Sequence, residues 1–273
     1  LESSRLKTNE EYTVRSDGMG QGLIVIAIAS ELELRKLRPL IAVGRVEVHG
    51  GRKYFFGIMN GRDVCLVKTG AGRKNAAAAA RKICSVVQPE LVIIAGAAGA
   101  LDPALGLGAT VVVETVVREN NSEKIFCPDD EARRAQVLLR SAGMNANAGC
   151  CCQVRTFMHR AADKRALFET TGAHIVDMES AAFVAEFQSA GVSFVNIRIV
   201  SDTARRDTAD MEKLVRLRYR RGKVAAVLYL LSHPREFVRT CLFYRGMAVA
   251  DKRIAEAVSI LIKADSREAQ ILE

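Results

Sequence analysis

Leu23-Ile24-Val25-Ile26-Ala27-Ile28-Ala29, running straight into Ser30-Glu31-Leu32-Glu33, is the stretch that decides the fold class. Seven consecutive apolar residues, four of them β-branched, describe a strand covered on both faces, as strands of parallel sheets are. Ser30 with Glu33 fits a capping box, so a helix opens directly after the strand. Glu33 then has two readings. It is a cap that needs no chemistry, or it is an acid just past a strand's carboxyl end, where α/β sheets bind their ligands.

The same order recurs outward from this stretch. Gly44 to Lys68 alternates and is broken at His49-Gly50-Gly51 and Asn60-Gly61, which predicts a β-meander with glycine turns. Thr69-Gly70-Ala71-Gly72 then feeds a helix beginning at Arg73-Lys74-Asn75, whose free N–H groups suit an anion or a sugar hydroxyl. This glycine turn has the spacing of neither a dinucleotide fingerprint nor a P-loop, so no cofactor is expected. Leu91 to Ala95 reads as a buried strand, and Gly96-Ala97-Ala98-Gly99-Ala100 after it leaves room for a ligand or for close strand–helix packing. Val154 to Met158 reads as a strand end, Ala173 to Val176 and Ser193 to Val200 as strands, with helices between. The alternation predicts an α/β fold: a three-layer α/β/α arrangement around a central mixed, mostly parallel sheet. Glu33, Gly96 to Gly99, Phe157, Glu179 and Asp202 all fall just after predicted strands and so converge on one pocket.

Residues 1–22 read as a disordered leader, 23–204 as one catalytic domain, and 205–273 as a basic helical C-terminal part packed on or extending it. The chain has 273 residues, 49% of them hydrophobic, enough for a full core, and its apolar runs fall short of a bilayer span. An odd count of seven cysteines fits reduced thiols and a cytoplasmic setting rather than a disulfide framework. Cys150, Cys151 and Cys152 are consecutive and would alternate faces of a strand, so no metal site is expected. The formal charge of +9 is concentrated, with eleven basic residues against four acids between Arg205 and Arg245. Interleaved leucines and valines make that segment either a solvated terminal helix or a basic amphipathic surface peripheral to the inner membrane. Aromatic content of 5% with no tryptophan gives little for base stacking, so no nucleic acid partner is expected.

Val176-Asp177-Met178-Glu179-Ser180 and Arg198-Ile199-Val200-Ser201-Asp202 carry the sharpest signal. With the glycine segments around Gly70 and Ala97, they make the chain resemble the nucleoside phosphorylase and nucleosidase superfamily, in its methylthioadenosine/S-adenosylhomocysteine nucleosidase branch. Leu101-Asp102-Pro103-Ala104-Leu105 and Leu230-Leu231-Ser232-His233-Pro234 are similar to the hopanoid-associated phosphorylases. The resemblance implies cleavage of the N-glycosidic bond of a 5′-substituted adenine nucleoside, an adenosyl-hopanoid lipid in the narrower match. It implies Glu179 on the ribose hydroxyls, Met178 against the sugar, Phe157 on the purine, and Ala97, Gly70 and Ser201 lining the site. Asp202 would protonate the leaving base, Glu33 would activate the nucleophile, and Arg198 would hold it. Ile94 stands where phosphorolytic relatives have arginine, and Ala97 where many have serine; both changes weaken a phosphate cradle and favour water as acceptor, with phosphate through Arg73 or Arg198 as the alternative. A homodimer is a further implication. The competing readings are a purine nucleoside phosphorylase acting on another nucleoside and a nucleoside-binding protein whose catalysis is impaired at Ala97.

Overall fold

The computed structural model describes residues 22–271; residues 1–21 of the expected leader lie outside them. The decisive stretch forms β1 (Ile24–Ile28), buried at every position. Its side chains alternate as a pleat requires: Ile24, Ile26 and Ile28 enter one core cluster, and Val25 and Ala27 the other. The capping box forms as read, with Ser30 and Glu33 closing the start of α1 (Glu31–Leu37). The meander is β2 (Ala42–His49), β3 (Arg52–Met59) and β4 (Arg62–Lys68), and β4 runs parallel to β1. Its second turn has Asn60 at φ +51° and Gly61 at φ +82°, the left-handed pair that a two-residue hairpin demands. Next come α2 (Arg73–Val86), β5 (Leu91–Ala100), β6 (Thr110–Arg118), β7 (Asn121–Phe126), α3 (Asp129–Ser141) and β8 (Ala146–Gln153). The chain continues with α4 (Ala161–Thr171), β9 (Ile175–Asp177), α5 (Ser180–Ser189), β10 (Phe194–Asp202), α6 (Met211–Ser232) and α7 (Pro234–Ile271).

β5 gives the sheet its shape. Leu91 to Ile94 pair in parallel with β1, Gly99 and Ala100 pair with β9, and β10 runs along the other edge. β10 pairs with β6, β6 with β8, and β8 with β9, so these strands close on β5 as a ring while β1 and the meander extend to one side. The sheet is mixed, parallel where β4, β1, β5 and β10 meet. The small residues from Gly96 to Gly99 let β5 leave β1 and turn towards β9.

Two helical layers cover the sheet. Leu34 and Leu37 of α1, Leu139 of α3, and Ile254, Val258 and Ile262 of α7 fill one core cluster; Ala76 and Ile83 of α2 with Phe183 and Phe187 of α5 fill the other. Phe183 and Phe187 stack at 6.0 Å, and Phe187 also meets Phe194 of β10 at 5.9 Å. Residues 247–262 of α7 are therefore part of the main core. In α6, by contrast, one of 22 residues is buried, Leu214, and the helix bends at Gly222, where φ is +85°. Val224, Val227, Leu228 and Leu231 share one face of α6 and are exposed. Among the described residues no helix is long and apolar enough to cross a membrane.

All seven cysteines are free, and burial pushes the thiols of Cys65, Cys127 and Cys152 up to about 12, as expected of packing residues rather than nucleophiles. Asp251 of α7 is buried, and its Oδ1 has no hydrogen-bond partner. Burial, with the Glu33 charge adding and Lys36 opposing, pushes its carboxyl up to about 6. A carboxyl raised on folding contributes stability at low pH that is lost as pH rises from its unfolded value through about 6. Asp251→Asn should therefore raise the melting temperature near pH 8, by roughly 1–2 kcal/mol of stability, and change little near pH 4; melts at both values check this.

Candidate functional site

Four charged side chains, Glu33, Glu179, Arg198 and Asp202, are buried along the bend of β5: Glu33 and Arg198 come together over Gly96, with the Glu179 carboxyl close enough to feel both charges, and Asp202 lies beside Gly99. Glu33 is both cap and site residue. Its Oε2 accepts from the backbone N–H of Ala29 (3.0 Å) and Ser30 (2.8 Å), and its Oε1 accepts from the N–H of Ala97 across the sheet (3.0 Å). The capping box thus aims one carboxylate oxygen at the bend of β5 just after its pairing with β1 ends. A Cβ on Gly96 would lie 2.4 Å from Arg198 Nη1 and 3.1 Å from Glu33 Oε1, so glycine there lets the guanidinium and the carboxylate come together over the strand.

Arg198 is 1% exposed, and Asp177 and Ser180 set its position. Its Nη2 lies 2.8 Å from Asp177 Oδ2, and Nε and Nη2 donate to Ser180 Oγ at 3.2 and 3.1 Å. Burial works against this charge, and the carboxylates of Asp177 and Glu179 more than offset it, so Arg198 is held above its ordinary range. Asp177 also accepts from the N–H groups of Glu179 and Ser180, which fixes the start of α5. Asp177 and Ser180 lie inside the segment read from sequence, yet nothing in their spacing singled them out from Glu179 beside them.

Glu179 is the N-cap of α5, and its Oε1 accepts from the N–H of Gly72 at 2.6 Å. That bond joins the glycine turn to the acid: Gly70 (φ +86°) and Gly72 (φ +89°) take left-handed conformations that direct the Gly72 N–H inward. Burial pushes the Glu179 carboxyl up to about 7, with Asp177 adding to the rise and Arg198 and the Gly72 N–H opposing it. Met178, half-buried, packs on the small core cluster with Val176 and Val154.

At the opposite corner, Ser201 donates to the carbonyl of Ala98 (3.2 Å) and to Asp202 Oδ1 (2.9 Å). Asp202 Oδ2 accepts from Lys164 Nζ, a residue that no motif or spacing singles out. A Cβ on Gly99 would sit 3.2 Å from the Asp202 carboxylate, and one on Gly246 of α7 would sit 1.9 Å from the Ser201 carbonyl. Glycine at both positions is what allows the end of β10 to reach the site.

Phe157 lies past the end of β8, in a loop where the sequence predicted a strand end. Its N–H donates to Glu212 Oε1 of α6 (2.9 Å), and its ring meets Phe243 of α7 edge to face at 5.7 Å. Arg73, one of the two candidate phosphate ligands, is exposed and lines a surface depression of about 310 Å³ with Lys74, Arg81 and Arg118 between α2 and α5. Ile94, at 0% exposed, is part of the core. Among the described residues no group of His, Cys, Asp or Glu is placed to hold a metal ion.

Comparison with known proteins adds to this geometry. The family described as the Phosphorylase superfamily matches residues 23–230. The chain belongs to the phosphorylase superfamily. This member is similar to the 5′-methylthioadenosine/S-adenosylhomocysteine nucleosidase of Bacillus cytotoxicus, with 30% identity over 205 residues covering 68% of this chain and 87% of that one. It is also similar to the enzyme of the same name from Marinomonas sp., with 29% identity over 199 residues covering 66% and 85% of the two chains. Its fold matches the crystal structure of the Neisseria meningitidis nucleosidase in complex with methylthio-immucillin-A. The TM-score is 0.70 at 20% identity, over 89% of this chain and 99% of that one. The Streptococcus pyogenes S-adenosylhomocysteine nucleosidase in complex with 5-methylthiotubericidin gives 0.72 at 19% identity, over 90% and 98%. The mixed sheet covered by helices that the strand–helix order predicts is the fold observed, and the superfamily is the one the motifs resemble.

Proposed function

We propose that this phosphorylase-superfamily chain cleaves the N-glycosidic bond of a 5′-substituted adenine nucleoside, releasing adenine, with water as acceptor. The observation that carries the reading is the line of buried charges along one bend of β5, Glu33 and Arg198 over Gly96 with Glu179 near both, and Asp202 beside Gly99. The names of the relatives point the same way. Glu179 accepts the ribose 2′- and 3′-hydroxyls, and its negative charge favours the oxocarbenium character that grows as the bond breaks. Met178 lies along the sugar, and Phe157 stacks on the purine. Asp202, steadied by Ser201, delivers a proton to the departing base. Glu33 takes a proton from the attacking water, and Arg198 holds that water over Gly96, against the backbone of Ala97. Gly70 and its turn support Glu179 from behind.

Water is favoured over phosphate because Arg73 lies in a separate depression, Ile94 is in the core, and most of the Arg198 guanidinium is committed to Asp177 and Ser180. The 5′ substituent is apolar, of the adenosyl-hopanoid type, and α6 with the start of α7 meets the membrane that holds it. Exposed Val224, Val227, Leu228 and Leu231 beside Arg216, Arg218, Arg220 and Arg221 support this, since apolar side chains flanked by cations suit an anionic lipid surface. A second copy of the chain completes the 5′ pocket as a homodimer.

Incubation in ¹⁸O-water, with and without phosphate, tests the acceptor. Methylthioadenosine, adenosylhomocysteine and an adenosyl lipid should each yield adenine and a free sugar carrying the label; turnover that needs phosphate and gives sugar 1-phosphate overturns the water reading. The ribose contact has its own signature. Glu179 must be ionised to accept two hydroxyls, and burial places its carboxyl near 7, so KM should rise about tenfold per pH unit below that point. In Glu179→Gln, KM should be high and flat over the same range.

A further inference from the structure

α4 is a helix of 11 residues with one buried side chain, and that side chain is a lysine. Lys164 is 0% exposed; its Nζ donates to Asp202 Oδ2 and, at 3.2 Å, to the carbonyl of Thr203. Burying an ammonium is costly, and replacing a buried ion pair with apolar side chains is often neutral or stabilising, so the pair is a poor device for docking a helix. Asp207 already ties α4 down by accepting from the N–H of Ala161 at 2.9 Å, while also pairing with Arg239 of α7. The pair also creates a chemical problem for the proposed reaction. A carboxylate joined to an ammonium has no proton of its own to give to a leaving base.

The geometry points to Lys164 as the source of that proton: we infer that Lys164 and Asp202 form a two-residue relay that protonates the departing purine. This rests on the N-glycosidase reading above. When the nucleoside closes the site, a Nζ–H bond of Lys164 breaks and an O–H bond forms on Asp202, converting two opposite charges into a neutral amine and a neutral acid, a form that a dry pocket favours. As the bond from C1′ to N9 breaks and its electrons pass into the purine, the Asp202 proton moves to N7 and adenine leaves neutral. The water oxygen bonds to C1′, and its proton goes to the Glu33 carboxylate. After product release the Glu33 proton returns to solvent and the Lys164 amine takes one up, so one water is consumed and both residues are restored. The charged groups at this corner are Lys164 on α4 and Asp202 at the end of β10; Asp177, Glu179 and Arg198 lie further along the site, Arg198 beside Gly96 where Asp202 is beside Gly99. His159 precedes α4, and Asp207 caps it.

The relay and a passive ion pair predict opposite shifts in pH dependence. In a relay the lysine keeps a transferable proton on the pair into alkaline solution; in a passive pair its charge only strips the proton from Asp202. The kcat for adenine release from methylthioadenosine would be measured from about pH 5 to 10 for wild type, Lys164→Met and Lys164→Arg, with melting curves to confirm folding. Wild type should stay active above about pH 8, whereas Lys164→Met should keep activity only on the acid side, falling about tenfold per unit as Asp202 loses its sole proton supply. Lys164→Arg preserves charge and bond but does not release its proton, and it should lie at least ~100-fold below wild type throughout. Lys164→Met active to higher pH than wild type, or Lys164→Arg within about threefold of it, overturns the relay. If neither variant folds, the wild-type profile decides: a kcat that falls steadily as pH rises through neutrality contradicts the relay. Absence of adenine from wild type at every pH removes the N-glycosidase reading and the relay with it, whereas wild-type turnover with superimposed variant profiles removes the relay alone.

Discussion

Asp202→Asn should lower kcat for adenine release by about 10²- to 10⁴-fold, the range that general acid catalysis commonly supplies. The same change should cost about 3–5 kcal/mol of stability, because it leaves the ammonium of Lys164 buried without a counter-charge. The two effects come from different physics and separate cleanly. In the double variant Lys164→Met with Asp202→Asn the stranded charge is gone, so the melting temperature should recover while kcat stays low. Recovery of activity along with stability would show that Asp202 acts only by satisfying Lys164, and would remove it from the chemistry. Calorimetric melts beside turnover at saturating substrate make the measurement.

The second large effect is expected at Glu33. Both carboxylate oxygens are in use: Oε2 accepts two backbone N–H groups at the start of α1, and Oε1 accepts the N–H of Ala97. Glutamine has one acceptor oxygen, so in Glu33→Gln the amide nitrogen must face N–H donors on one side or the other. Activity should fall by about 10²- to 10⁴-fold through loss of the base. Stability should fall by about 1–3 kcal/mol through the unsatisfied N–H groups. Ser30→Ala separates cap from chemistry: it removes the serine half of the capping box, should cost about 1 kcal/mol, and leaves the carboxylate that faces Ala97. A kcat in Ser30→Ala as low as in Glu33→Gln would mean that the cap alone explains the glutamate.

These expectations rest on side chains that were unequally visible in the sequence. β1 and α1 could be read residue by residue, because an unbroken apolar run and a capping box are local signals and local geometry satisfied them. The ring of strands could not. Whether β5 continues beside β1 or swings to β9 depends on partners some eighty residues away, and the glycines that permit the swing equally fit plain close packing. β8 carries Ala, Asn, Gly and Cys rather than β-branched residues, and it is held as a strand by its parallel pairing with β6, so the sequence placed its end too late. At the site, the acids stood out because carboxylates after apolar strands are unusual. Their partners did not: Asp177 was hidden beside a more conspicuous glutamate, and Lys164 sits in an ordinary helical segment where a lysine ordinarily faces solvent. α6 shows the reverse case: its apolar face was legible, the sequence left it either packed on the domain or extending from it, and most of that face is exposed.

The most direct test of the central claim, that the acids at the end of this sheet cleave a nucleoside at its glycosidic bond, is chromatographic detection of free adenine when the protein is mixed with methylthioadenosine. The expected result is adenine in step with loss of nucleoside for wild type, and release slowed by at least ~100-fold for Asp202→Asn at a protein concentration where both bind the nucleoside. Nucleoside bound by wild type but recovered intact, or adenine released equally by both proteins, contradicts it.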